Sequence, residues 1–241
     1  VRGFTFTVPT GPTRALLTAV PAAFGAGAHD AVYTALALAV ARWRGDRAGL
    51  MVDLQGHGRD RLGDVDAGRT VGWLVDVHPA WFDPGIGWDE VTGVGPGLGD
   101  AVRRVRDQLR ALPDAGRGYG MLRHLNPRTR DRLAALPGPQ LKFNYLGRFT
   151  VAGPADDWTP TEELGGVLGG GADEDMRLEH VVEATAYVAD HPAGPRLMTA
   201  WDSVAPLVGE PELRALAGHW RDALEAIAAR AAAEAGEGQG T

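Results

Sequence analysis

Cysteine is absent from this chain of 241 residues, and serine is almost absent. Without cysteine the chain has no disulfide framework and no thiolate metal site, which fits the reducing cytoplasm. The single serine, Ser203, lies in a Trp-Asp-Ser-Val sequence and not in a nucleophile elbow, which argues against a serine hydrolase. The seven histidines are scattered and form no HExxH pair, so we expect no metal centre.

Basic charge and long apolar runs are scarce as well. The formal net charge of -7 and the pI near 5.5 argue against nucleic acid as a partner, because phosphate binding requires a basic surface. The longest nearly apolar run, residues 31–41, is too short to cross a bilayer, so we expect no membrane partner. The chain begins with Val1 and not with Met, from which we expect a piece of a longer protein.

One stretch, Val52–Arg59, combines a buried-strand pattern with a polar end. Apolar residues lead into it, and Gln55, His57 and Arg59 then alternate with glycines. On an extended backbone these three side chains project to one side, and the glycines let a ligand approach closely. We therefore expect the functional site near this turn. The alternative, a glycine-rich strand exit with a solvated histidine, is equally compatible with the eight residues alone.

Hydrophobic periodicity predicts both helices and strands along the chain. Residues 71–77 alternate in polarity, which predicts a strand that ends at Pro79. Pro21 and the Gly25-Ala26-Gly27 run predict the end of a short helix that begins at Thr13. The Gly- and Asp-rich residues 153–175 predict a mobile loop. Further helices are predicted over 28–44, 98–112, 127–136 and 210–234, and further strands over 4–8, 50–54, 140–149, 177–189 and 195–204.

The order of these elements predicts the fold class. The strands over 177–189 and 195–204 are separated by a turn short enough for an antiparallel hairpin. Strands and helices otherwise mix without a regular βαβ rhythm. We therefore expect an α+β fold in which helices flank one mixed or antiparallel sheet.

Five short motifs follow one another over nearly the whole chain, and each of them alone is weak. Their order resembles the C-terminal half of an epimerization domain of nonribosomal peptide synthetases, a branch of the condensation-domain superfamily. The stretch His180–Glu183 also resembles the closing hairpin of that family. The five motifs are His29–Leu36, Leu54–Asp60, Arg69–Trp73, Gly116–Gly120 and Phe143–Gly147.

The resemblance implies a chloramphenicol-acetyltransferase-like fold of two lobes. Residues 1–235 would form the C-terminal lobe, and residues 236–241 a disordered tail or linker. In this family a peptidyl carrier domain delivers an aminoacyl or peptidyl thioester on its 4'-phosphopantetheine arm into a tunnel between the lobes. The complete domain then inverts Cα from L to D by removing and returning the α-proton. The implied partners are the carrier domain, the N-terminal lobe and neighbouring synthetase modules, and the chain itself would bind no cofactor.

The resemblance also implies roles for individual residues. Gln55 and Tyr145 occupy catalytic positions of the family. Gln55 stands where the family has its catalytic glutamate, and an amide cannot accept a proton near neutral pH. The tunnel-lining positions are those of Asn144, Arg59, His57, Trp73 and Tyr119.

Three interpretations follow from this departure at Gln55. The first is the C-terminal lobe of an epimerization domain that is impaired or uses another base, and the second is a non-catalytic carrier-docking or scaffold module. The third is the C-terminal lobe of a condensation-type acyltransferase that forms peptide bonds. The His-His-x-x-x-Asp-Gly motif of the family is absent from these residues, so we expect the isolated chain to be inactive.

Overall fold

The computed structural model describes residues 2–59, 64–93, 97–149 and 177–237, which are built around one sheet of six strands. The strands are β1 (Arg2–Val8), β2 (Leu50–Gly56), β3 (Asp76–Phe82), β4 (Leu141–Phe149), β5 (Val182–Ala189) and β6 (Arg196–Ser203). The helices are α1 (Thr10–Phe24), α2 (Ala28–Arg44), α3 (Trp88–Val91), α4 (Gly97–Arg110), α5 (Gly118–Gly120), α6 (Arg130–Ala134) and α7 (Glu210–Glu237). A 3-10 turn (Pro113–Gly116) precedes α5, and a π-helical turn (Met121–Leu125) follows it.

The strands lie in the order β1-β6-β5-β4-β2-β3, and the sheet is mixed as predicted. Strand β4 runs parallel to both β2 and β5, whereas the other neighbours are antiparallel, including the predicted β5–β6 hairpin. The carboxyl ends of β2, β4 and β5 therefore meet at one edge, here called the upper edge. Only two residue pairs, Asp53 with Lys142 and Leu54 with Phe143, register β2 against β4.

One face of the sheet, here called the helix face, packs against α1, α2, α4 and α7 to form the hydrophobic core. Leu54 and Phe143 point to this face and are buried. Trp201 and Trp220 are fully buried and meet edge to face, with 5.7 Å between their ring centroids. The indole Nε1 of Trp220 donates a hydrogen bond to the Val32 carbonyl at 3.1 Å, so α7 is fixed to α2 by packing and by a hydrogen bond.

Helix α2 confirms the prediction for residues 28–44 and is the most buried helix segment of the core. Every residue from Asp30 to Val40 is buried, because the helix is covered on all sides by the sheet and by neighbouring helices. The Asp30 carboxylate accepts a hydrogen bond from the Gly27 N–H at 2.7 Å, which caps the first turn. Gly45 adopts a left-handed conformation with φ 75° and ends the helix.

Helix α1 begins at Thr10 and ends at Gly25, the first residue of the predicted glycine break, but Pro21 lies inside it, so the prediction of a break at this proline is wrong. A proline removes only one i→i-4 hydrogen bond, and here it does so one turn before the helix ends at Gly25. No single helix among the described residues is long and apolar enough to cross a membrane. Taken together, helices α1 and α2 have the length and the apolar composition of a membrane span, but the pair is bent by 96° at its junction.

The strand predicted over 71–77 is also wrong, because β3 begins at Asp76 and contains Pro79. Strand β3 lies at the edge of the sheet. Proline is tolerated in an edge strand at positions where the backbone N–H of another residue would point to solvent and not to the neighbouring strand. Val71 and Trp73 are exposed, so no packing holds the preceding residues in an extended register. The alternation of residue types over 71–77 therefore predicted a strand that begins five residues before β3 does.

The remaining predictions differ from the structure mainly at element ends. Strand β5 begins at Val182 and not at residue 177, and α6 covers only Arg130–Ala134 of the predicted 127–136. Helix α7 continues to Glu237. The loop predicted over 153–175 lies outside the described residues, as do residues 238–241.

We expect Trp220→Ala to lower the free energy of unfolding by about 3–5 kcal/mol, because it leaves a cavity in the core. Urea denaturation followed by circular dichroism measures this change. Trp73→Ala is the matched control, since Trp73 is 88% exposed, and we expect it to change stability by less than about 0.5 kcal/mol. Equal losses in the two variants would contradict the central position of Trp220.

Candidate functional site

Gln55 and Asn144 lie beside each other at the upper edge of the sheet. Side chains alternate along β2, so Asp53 and Gln55 point away from the helix face. The parallel register of Leu54 with Phe143 then places Asn144 next to Gln55 on the same side. We call this side of the sheet the polar face. The structure thus brings together two of the residues that the sequence predicted for one site.

Tyr145 also lies near the upper edge, but its side chain is on the helix face, where it is partly buried against the core. Burial raises the pKa of the Tyr145 phenol. Burial also raises the pKa of its neighbour Tyr33 on α2, with further contributions from Tyr145 and Asp30. Both phenols therefore keep their protons at neutral pH and can donate hydrogen bonds. The structure places Tyr145 on the face opposite to Gln55 and Asn144.

His57 and Arg59 hold the backbone that leaves β2. His57 Nδ1 accepts a hydrogen bond from the Arg59 N–H at 3.0 Å. The Arg59 guanidinium donates to the carbonyls of Thr70 at 3.3 Å and Gly72 at 2.8 Å, and so connects two distant turns. Gly58 has φ 63°, and a Cβ at this position would clash with the backbone of the second turn. Through these contacts with backbone groups, His57 and Arg59 fix the conformation of the loop that follows β2.

Neither Trp73 nor Tyr119 is placed beside Gln55 by the register of the strands. Trp73 is on the exposed loop before β3. Tyr119 lines a cavity of about 650 Å³ together with Met51 and Trp81. Met51 is four residues before Gln55 on β2, a distance of about 13 Å along the strand. The structure therefore places Tyr119 near the opposite end of β2.

A charged network on the polar face was not predicted from the sequence. His180 Nε2 lies 2.7 Å from Asp53 Oδ2, which connects the start of β5 to β2 across β4. His180 Nδ1 lies 3.6 Å from Glu183 Oε1, so this second contact is an ion pair beyond hydrogen-bond distance. Lys142 Nζ completes the network at 2.7 Å from Glu183 Oε2. All four side chains are largely buried, with relative exposures of 8–19%.

The network is ionised at neutral pH. The hydrogen bond to Asp53, together with the neighbouring Glu183, raises the pKa of His180 to about 9. Burial alone would raise the pKa of Glu183, but His180 and Lys142 outweigh it and lower this pKa to about 2. Burial, and then Glu183, raise the pKa of Asp202, which lies opposite Glu183 on β6.

The arrangement of the network does not suit a metal ion. Both ring nitrogens of His180 are directed at carboxylates, and the Lys142 ammonium already neutralises Glu183. Across residues 2–59, 64–93, 97–149 and 177–237, no group of three or more possible ligands is placed to hold a metal. The sequence signals for the network were the resemblance of His180–Glu183 to the closing hairpin of the family and a set of charged residues within strand patterns, including the only lysine in the chain.

Comparison with known proteins supplies relatives for this sequence and this fold. No family model matches the sequence. Over 220 residues the chain is 34% identical to a linear gramicidin synthase protein of Brevibacillus parabrevis, covering 89% of the chain and 4% of that synthase protein. Over 157 residues it is 41% identical to chondramide synthase cmdD of Chondromyces crocatus, covering 64% of the chain and 4% of that synthase.

Two solved structures share the fold. One is the epimerization domain from the third module of tyrocidine synthetase B, with a TM-score of 0.75 and 24% identity over 97% of this chain and 49% of that chain. The other is the condensation domain from the Monacolin K polyketide synthase MokA, with a TM-score of 0.61 and 14% identity over 95% of this chain and 47% of that chain. The chain therefore spans about half the length of the domains that it matches.

The six-stranded mixed sheet with its flanking helices is the chloramphenicol-acetyltransferase-like architecture of one condensation-type lobe, as predicted. The sequence relatives are components of nonribosomal peptide synthetases. The chain is thus related in sequence to these synthetases and has the fold of condensation and epimerization domains.

We expect the free energy of unfolding to fall as pH rises from 6.5 to about 9, because the folded-state pKa of His180 is raised above its ordinary value. The stabilisation is complete below pH 6.5 and is lost as the imidazolium loses its proton. His180→Gln should remove most of this slope and cost up to about 3 kcal/mol at pH 6. Urea denaturation at several pH values measures both effects. His124→Gln, at an exposed histidine, is the control, and an unchanged slope in His180→Gln would refute the assignment.

Proposed function

We propose that residues 1–235 form the C-terminal lobe of an epimerization-type domain of a nonribosomal peptide synthetase. In the complete domain the reaction would invert Cα of an aminoacyl or peptidyl thioester from L to D. The observation that carries this proposal is the position of the Leu54–Arg59 motif at the upper edge, with Gln55 and Asn144 on one face. The fold of the tyrocidine epimerization domain, which covers 97% of the chain, supports it.

The substrate would arrive on the 4'-phosphopantetheine arm of a peptidyl carrier domain, which is a part of the substrate and not a resident cofactor. Removal of the α-proton leaves an enolate whose thioester oxygen needs hydrogen-bond donors. The Asn144 amide lies on the polar face beside Gln55 and is our candidate for such a donor. The Tyr145 phenol, protonated at neutral pH, lies on the helix face near the same edge, so we propose it as a proton donor to a substrate that reaches over this edge.

Gln55 makes this site deficient as a base. A carboxamide has no lone pair that accepts a proton near neutral pH, and the phenol of Tyr145 is already protonated. General base catalysis contributes about 10²–10⁴ in rate, so a site without a base loses a large share of its catalysis. We therefore propose that epimerization is impaired in the parent domain unless the N-terminal lobe supplies the base, and that the chain alone is inactive.

A non-catalytic module that docks the carrier domain is the second candidate, and the same amide at Gln55 favours it. Such a module would keep the fold and the carrier-binding surface while losing chemistry. The two candidates differ in what a restored base would do. In an impaired epimerase the other groups of the site, such as Asn144, are still positioned for catalysis. In a docking module nothing requires them to keep that position.

We expect Gln55→Glu to accelerate α-proton exchange at least about 100-fold, because it restores a carboxylate base. The measurement uses the complete two-lobe domain with an L-aminoacyl carrier, and follows the D/L ratio and deuterium incorporation at Cα. Gln55→Ala is the matched control, which should exchange no faster than the native protein.

Exchange in the native protein as fast as in Gln55→Glu would refute the claim that Gln55 disables the base. A Gln55→Glu domain that still binds the carrier but shows no exchange would favour the docking module over the epimerase.

A further inference from the structure

Two neighbouring cavities form one continuous groove at the end of β2 opposite to Gln55. They measure about 560 and 650 Å³, and both are lined by Met51, Trp81, Gly138 and Pro139. The groove runs from Trp43, at the end of α2, to the segment that carries Tyr119. Met51 lies about 13 Å along the strand from Gln55, so this groove is separate from the proposed chemical site.

Large apolar side chains in the groove remain exposed. Met51 is 41% exposed, Trp81 53%, Leu136 62% and Leu207 65%. Tryptophan and methionine are enriched where proteins bind other proteins, and exposed clusters of such residues mark interaction sites. The wall of the groove is therefore suited to an apolar partner surface.

The charge of the groove is positive, although the whole chain carries a formal net charge of -7. Among its described lining residues there is no carboxylate, and the two charged side chains are Arg44 and Arg123. Arg44 is paired with Asp46 at 3.1 Å. Arg123 has no hydrogen-bond or ion-pair partner within the part of the chain that the structure describes. The surrounding residues 117–132 contain five arginines and a single acidic residue, Asp131.

The sheet edge beside the groove disfavours an added β-strand. Strand addition needs free N–H groups on the edge strand, and β3 contains Pro79, which has none and lines the groove. Pro137 and Pro139 remove two more donors from the opposite wall. A helix, whose backbone groups are already paired, needs no such donors and can lay an apolar stripe into the groove.

We propose that this groove binds an acidic amphipathic helix of a partner protein. Its apolar stripe packs on Met51, Trp81 and Leu136, and one of its carboxylates pairs with Arg123. Arg128 and Arg132, which are exposed on the same segment, attract the acidic flank of the helix. The proposal goes beyond the proposed epimerase function, because it concerns the other end of β2 and requires no catalysis.

The test selects binders from a displayed library of random peptides on the purified chain. We expect the enriched peptides to carry apolar residues at i, i+3, i+4 and i+7 and an excess of Asp and Glu. Synthetic copies should bind more weakly as salt is raised, and Arg123→Glu and Trp81→Ala should each weaken binding about tenfold or more. Trp73→Ala is the matched control at an exposed tryptophan outside the groove, and it should leave binding within about twofold.

Unfolding curves of both variants and the NMR shift of the Met51 methyl group, which peptide binding should move, separate loss of the groove from loss of the fold. Three results would overturn the proposal: no enriched peptides, enriched peptides without acidic excess, or equal binding to Arg123→Glu. Two further results would replace it. Preferential binding to phosphatidylglycerol vesicles, abolished by Trp81→Ala, would assign the groove to a membrane surface. A dimer in sedimentation velocity that Trp81→Ala dissociates would assign it to a second copy of this chain.

Discussion

The contact between β2 and β4 is the constraint on which the rest of the sheet depends. Only two residue pairs register these strands, yet they join the β2–β3 pair to the four strands β1, β6, β5 and β4. On the helix face Leu54 and Phe143 bury this contact under the core. On the polar face the pair of His180 with Asp53 spans it, from the segment just before β5 to β2. Besides the stability that it contributes below pH 6.5, this pair ties the two strands together across β4.

That alignment also determines the candidate site. Gln55 and Asn144 belong to the two strands that meet at this contact, and their positions relative to each other follow from its register. A shift of one residue along β2 would move Gln55 to the helix face and Asp53 away from His180. The charged network and the site are thus linked by the strand register. The groove at the other end of β2 depends on the same strand through Met51.

Local patterns predicted what is locally determined. Helix α2 and the β5–β6 hairpin followed from periodicity and a short turn. The order of motifs led to the observed fold class and to the synthetases that are the sequence relatives. The strand over 71–77 was misplaced because the edge position that lets β3 include Pro79 is a property of the whole sheet. The pair of His180 with Asp53 could not be predicted, since 127 residues separate its members. Motif order likewise grouped Tyr119 with Gln55, whereas folding places them at opposite ends of β2.

The single lysine of the chain has a consequence for its chemistry. Lys142 Nζ is held at 2.7 Å from Glu183 in the middle of the sheet, and its side chain is largely buried. A primary amine reacts with acylating reagents only when it is accessible, and burial together with the contact to Glu183 restricts access to this one. The folded protein therefore offers amine-directed reagents no readily reactive side chain. Acylation of Lys142 would instead report how often its contact with Glu183 opens, which makes this residue a natural label for the polar face of the sheet.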